Sequence, residues 1–175
     1  MTSDSKVAAR HAPATTTTDQ PPLHRPAGAG ATYVGPGDVY RFLVTGAETG
    51  GGYFAMEAIV PPGGGPPPHI HRDEDETFYV LEGECDFLLG DDWITAGAGD
   101  FVNVPRGAVH CFSNRSAGDA RLVVTFSPAG IEHFFEETLE RAVDPSQPPP
   151  RDNHETVAAR YAEAAPRYGI QFLTE

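Results

Sequence analysis

From Tyr33 onward the chain is cut into short apolar runs by turn residues, and this punctuation limits the fold more than any other feature. Val39 to Val44, Tyr53 to Val60, Thr77 to Leu81, Cys85 to Leu89, Trp93 to Thr95, Phe101 to Val104, Val109 to Phe112 and Leu122 to Phe126 all read as strands. Gly46 to Gly52, Pro61 to Pro68, Gly90-Asp91-Asp92 and Ala96 to Asp100 read as the turns and loops between them. No helix-length pattern intervenes, so the expected class is all-β, an antiparallel sandwich or barrel of which the jelly roll is one solution.

The texture differs at both ends. Residues 1–31 mix Ala, Thr, Pro and Asp with few large apolar side chains and are expected to be disordered, because they bury too little to offset chain entropy. After Pro128 the apolar period becomes helical: Ile131, Phe134, Phe135, Thr138, Leu139 and Ala142 predict an amphipathic helix over 130–143. It reads as a packing element over the barrel, with a lid as the other reading. Asp144 to Asp152 predicts an extended linker, and His154 to Ala165 a second helix stopped by Pro166. The expected organisation is a disordered segment 1–31, a β-barrel core 32–128, and C-terminal helices packing on it over 129–175.

The chain has 175 residues, enough for one domain with a substantial core. A net charge of -13 without a basic block argues against nucleic acid and anionic membranes, since nothing would neutralise phosphates. Met1 to Pro13 has no apolar stretch of the kind that directs export, and no segment approaches membrane-spanning length. A soluble cytoplasmic protein with a small-molecule partner is expected. Cys85 and Cys111 exclude a disulfide framework and read as buried free thiols. Lys6 is the sole lysine beside many arginines, a bias of GC-rich bacterial coding.

Two glycine-bounded patterns carry the chemistry. Gly63 to Gly83 reads G-x5-H-x-H-x4-E-x6-G, and Gly99 to Asn114 reads G-x5-P-x-G-x2-H-x3-N. His69 and His71, two apart, point the same way in an extended segment. Glu76 is an odd number of residues after His71, so Arg72 to Asp75 must form a loop or bulge that resets the register. Asp73, Glu74 and Asp75 then read as solvated loop charges. His110 comes from a distant strand and shares an inward face with Phe112. His11, His24 and His154 read as surface residues, and Asn114 as a turn support.

These residues resemble the two signature motifs of the cupin superfamily, matched by Gly63, His69, His71, Glu76 and Gly83, then by Gly99, Pro105, Gly107, His110 and Asn114. The resemblance implies a single jelly-roll β-barrel with a metal ion in one mouth, held by His69, His71, Glu76 and His110. Mixed nitrogen and oxygen ligation suits iron, manganese, nickel or cobalt, and zinc as a further candidate. The stretch Ser127 to Glu137 resembles the tail of quercetin 2,3-dioxygenase-like cupins. It implies a dioxygenase acting on a phenolic or enolic compound, a flavonol or aromatic polyketide, with dioxygen as co-substrate and Glu76 as both ligand and base. Phe54, Met56, Phe78, Phe112, Phe126 and His133 are the expected substrate pocket, and the aromatics read equally as core. A non-oxidative isomerase, cyclase or dehydratase at the same ion, and a metabolite-binding module without catalysis, are the alternatives. Cupins commonly dimerise, so a homodimer is expected.

Overall fold

The computed structural model describes residues 20–35, 38–142 and 154–173, and every structural statement below concerns those residues. Residues 1–19 of the expected disordered segment, the expected linker Asp144 to Asp152, His11 and the side chain of His154 lie outside them. Residues 20–31 differ from expectation. Arg25 anchors them, donating from Nε to the Leu43 carbonyl at 2.6 Å and from Nη2 to Glu48 at 2.6 Å.

Twelve strands form two antiparallel sheets, the jelly-roll arrangement. They are β1 (Thr32–Val34), β2 (Val39–Val44), β3 (Phe54–Val60), β4 (His69–His71), β5 (Asp75–Glu82) and β6 (Glu84–Leu89), followed by β7 (Asp92–Gly97), β8 (Phe101–Val104), β9 (His110–Ser113), β10 (Ala120–Ser127), β11 (Glu140–Arg141) and β12 (Ile170–Phe172). One sheet runs β11-β1-β2-β3-β10-β5-β8, and the other β12-β4-β9-β6-β7.

Alternation decides which side chains fill the space between the sheets. On β10, Ala120, Leu122, Val124 and Phe126 are buried, and their register partners Val80, Phe78 and Glu76 on β5 point the same way. The outer face of the larger sheet carries charge: Glu57 on β3 accepts from Arg41 Nη1 at 2.8 Å and from Arg121 Nε at 3.0 Å. Gly83 makes the one-residue turn from β5 to β6 with φ of 72°, and a Cβ there would stand 2.7 Å from the Asp119 carbonyl oxygen. Only glycine meets both demands.

Three short elements were not legible in the apolar pattern. The Gly46 to Gly52 loop contains one helical turn, α1 (Gly46–Thr49). The helix expected over 130–143 is shorter, α2 (Glu132–Thr138), because Glu140 and Arg141 leave it to pair with Val34 and Tyr33 on the open edge of β1. Glu132 is buried at its start, accepting from the backbone amides of Gly46 and Gly130, each at 2.7 Å. After α3 (His154–Ala164) and a 3-10 turn (Ala165–Tyr168) that contains Pro166, the chain adds β12 to the edge of β4. The C-terminal segment thus lies directly beside the strand that carries His69 and His71.

Candidate metal centre

β4 presents His69 and His71 on one face, and the loop 72–74 resets the register so that Glu76 enters β5 pointing inward. His110 opens β9 directly opposite His69 in the sheet. Gly107, with φ of 81°, turns the chain before it and donates its amide to the His71 carbonyl at 2.7 Å, which ties the two ligand-bearing segments together. All four side chains are buried, and their ligand atoms lie within 4.8 Å of one another.

Hydrogen bonds at the far ends of the rings fix what the near ends offer. His69 Nδ1 donates to the Pro67 carbonyl at 2.9 Å and His110 Nδ1 to the Ala108 carbonyl at 3.1 Å. A carbonyl only accepts, so both Nδ1 atoms carry hydrogen, and each ring in its neutral form turns a bare Nε2 inward. His69 Nε2 is 3.1 Å from His71 Nε2, His71 Nε2 is 3.3 Å from Glu76 Oε2, and His110 Nε2 is 2.8 Å from that same oxygen. Ligands about 2.1 Å from one ion at right angles would stand roughly 3 Å apart, so the donor set fits a divalent cation.

Charge is poised in the same way. Burial pushes the Glu76 carboxyl up, but hydrogen bonds from His110 and His71 prevail and hold it at about 2. Burial, with the neighbouring His110 and His71, holds His69 down at about 3, in the neutral form that a ligand needs. His110 resists its own burial and is raised by Glu76. Without an ion, a proton shared by His110 and Glu76 does the neutralising.

The pocket residues divide. Met56, Phe112 and Phe126 line the cavity beside His69, His71 and Glu76. Phe54 and Phe78 do not: Phe54 packs against Phe42 at 4.7 Å, and Phe78 against Phe87 at 5.0 Å, so both are core. His133 is corrected outright. It lies opposite the buried Ile131, Phe134 and Phe135 stripe, with 65% of its side chain exposed and Glu136 2.8 Å away. Glu74 also departs from expectation, being only 6% exposed, with Oε2 unpartnered and its carboxyl raised chiefly by burial. Asp75 does stay at the surface, paired with Arg106 at 2.9 Å. Asn114 is a turn support: its Nδ2 donates to the Val60 and Gly118 carbonyls at 2.7 Å and its Oδ1 accepts from Ser116.

The expected helix over the barrel does cover the mouth, but the sequence did not mark which side chains close it or that α3 and β12 join it. Phe134 and Phe135 of α2, Tyr161 of α3 and Phe172 of β12 cover the cavity and leave about 50 Å³ beside the ligand atoms. Phe134 and Phe135 belong to the helical stripe visible in the sequence, whereas Phe172 had no periodic signal to mark it.

Residues 56–126 match the family model for the cupin domain. Over that stretch the chain is similar to the cupin domain. It is 28% identical over 149 residues to quercetin 2,3-dioxygenase of Bacillus subtilis, covering 85% of this chain and 43% of that protein. It is 37% identical over 62 residues to an uncharacterized protein of Aquifex aeolicus, covering 35% of this chain and 50% of that one. The chain therefore spans half or less of the length of these curated relatives. Among solved structures, KdgF from Halomonas sp. superposes with a TM-score of 0.53 at 20% identity, over 60% of this chain and 91% of that one. An RmlC-like cupin from Shewanella frigidimarina gives 0.52 at 23%, over 61% and 89%. These two share the fold. Among the described residues no helix is long and apolar enough to cross a membrane, and Cys85 and Cys111 are buried free thiols.

Proposed function

We propose that this protein is a metal-dependent cupin dioxygenase acting on a phenolic or enolic small molecule. The observation that carries the reading is the buried set of three inward Nε2 atoms and one carboxylate, in a chain similar along most of its length to a quercetin 2,3-dioxygenase. His69, His71, His110 and Glu76 would hold the ion, of iron, manganese, nickel or cobalt type, with zinc less suited to so many protein ligands. Such an ion supplies Lewis acidity to an enol oxygen and couples oxidation of the substrate to dioxygen.

The protein's own groups do the rest. Glu76, ionised at neutral pH, offers its second oxygen to the enol proton while Oε2 faces the imidazoles. Phe112, Phe126 and Met56 give the substrate an apolar wall and, with the aromatic cap, exclude water. About 50 Å³ admits a few water molecules at roughly 10–15 Å³ each, so a flavonol enters only when cap side chains such as Phe134 and Tyr161 swing aside.

Oxygen uptake by the metal-loaded chain, assayed with quercetin and with aromatic polyketide phenols, tests the reading. Consumption of dioxygen that disappears in Glu76→Ala is expected. Equal turnover under argon transfers the site to the isomerase, cyclase or dehydratase class.

A further inference from the structure

A second cavity, of about 460 Å³, adjoins the first, between α3 and the Gly63 to Pro67 segment. Tyr40, Pro66, Tyr161 and Phe172 line both and form the wall between them. Its size falls within the roughly 300–1,000 Å³ of small-molecule sites, which the space at the ligand atoms does not. Val157 and Ala158 of α3 give it an apolar far side.

One group in this cleft is polar and unsatisfied. Asp38 is only 5% exposed; its Oδ2 accepts from the Tyr40 hydroxyl at 2.9 Å, and its Oδ1 has no well-formed hydrogen bond, although the Gly65 amide approaches the carboxyl. A Cβ at Gly64 would collide with Oδ1, so the acid occupies room that only glycine leaves. Burial raises its carboxyl to about 6, although the Tyr40 hydroxyl and the nearby Gly65 amide favour the charged form. Tyr161 and Cys85 also sense it, and no cation is among the groups that act on its carboxyl. A buried acid without a counter-charge costs stability, and retaining one beside a cavity implies a ligand that satisfies it.

We propose that this cleft is a binding subsite for a planar aromatic ligand carrying a hydroxyl, which donates its O–H to Asp38 Oδ1. Asp38 is thus a specificity residue, and Tyr40 positions it. The ligand's class rests on the phenolic reading of the metal centre; the cleft and its acid stand without it. The subsite takes the body of the molecule, and Tyr40 and Tyr161 lie between that body and the ligand atoms of the metal centre.

Equilibrium dialysis of the full-length chain under argon, with 2-naphthol and with 2-methoxynaphthalene, isolates the hydroxyl. The wild type is expected to bind 2-naphthol about 10-fold more tightly than the ether, as for one hydrogen bond to a charged acceptor. Asp38→Leu should bring the two within about twofold of each other, Asp38→Asn should fall between, and Ala158→Trp should weaken both about 10-fold by filling the cleft. Asp38→Asn is nearly isosteric and keeps an acceptor for Tyr40, so it gives the answer if the leucine variant does not fold. Equal affinity of the wild type for the two probes overturns the proposal. So does a ratio unchanged in both Asp38 variants, binding indifferent to Ala158→Trp, or no binding of 2-naphthol at millimolar concentration. Binding as expected without oxygen uptake sinks the dioxygenase reading and leaves the subsite standing.

Discussion

Along β5 the barrel changes character within two residues. Glu76 faces three imidazoles, whereas Phe78 and Val80 face Val124 and Leu122 across the sheet, in a region closed by Phe87 and Phe112. The hydrocarbon end satisfies every neighbour by contact. The polar end does not: among the described residues the buried side-chain atoms without a partner are Asp38 Oδ1, His71 Nδ1, Glu74 Oε2 and the Nε atoms of Arg41 and Arg160, and the first three belong to the mouth or its flank. Unsatisfied buried groups are rare in folded proteins because each costs free energy. The three at the mouth separate the part of the molecule that stabilises the fold from the part that gives up stability for binding.

Four experiments test that contrast. Phe78→Ala should cost about 3–5 kcal/mol in chemical denaturation, since it empties fully buried volume, and should leave the metal affinity of the folded fraction unchanged. Loss of affinity without loss of stability would erase the division. Glu76→Gln acts at the polar end: metal affinity should fall by about 100-fold or more, worth roughly 2.7 kcal/mol, and the metal-free protein should melt below the wild-type temperature, because the imidazoles that hold this carboxyl at about 2 lose their charged partner. Isothermal titration calorimetry and thermal melts read the two quantities separately.

Asp38→Asn should raise stability, by an amount of the order of 2 kcal/mol at pH 7.5. The carboxyl is raised in the folded state to about 6 from an ordinary 3.8, so the folded protein binds the proton more tightly. Its penalty is complete above pH 6, shrinks as pH falls, and is gone below about 4; the advantage of asparagine should follow the same course in urea titrations. A constant difference across pH 4–8 would mean that charge is not the cause. The smallest effect concerns the His110–Glu76 proton, which an ion displaces. Below the raised pKa of His110, metal affinity should increase about tenfold per pH unit, with proton release visible in buffers of different ionisation enthalpy. Affinity flat from pH 5 to 7 would remove that shared proton.

Strand alternation explains why so much was legible. Val39–Val44 and Phe101–Val104 have the expected bounds, and the odd spacing from His71 to Glu76 required the loop that the structure contains. Local pattern fails where an element is decided by a distant partner. Glu140 and Arg141 look helical in isolation and are strand because β1 has an open edge, while Ile170–Phe172 is strand because β4 has one. Glu74 has the composition of a solvated loop yet is buried, and nothing in the residues around it signals that. His133 was drawn toward the site by its residue type, although its position on α2 turns it to solvent. Asp38, the most informative polar residue outside the motifs, carries no local signal at all.

His69, His71, Glu76 and His110 act as one ligand set only if the loss of any one of them empties the site. Elemental analysis of the purified full-length chain beside His69→Ala and His110→Ala, each loaded with manganese and dialysed, tests it most directly. Close to one ion per wild-type chain and little in either variant is expected, with all three folded by circular dichroism. Equal metal in the three proteins, or none in the wild type after loading with manganese, iron, nickel or cobalt, would contradict it.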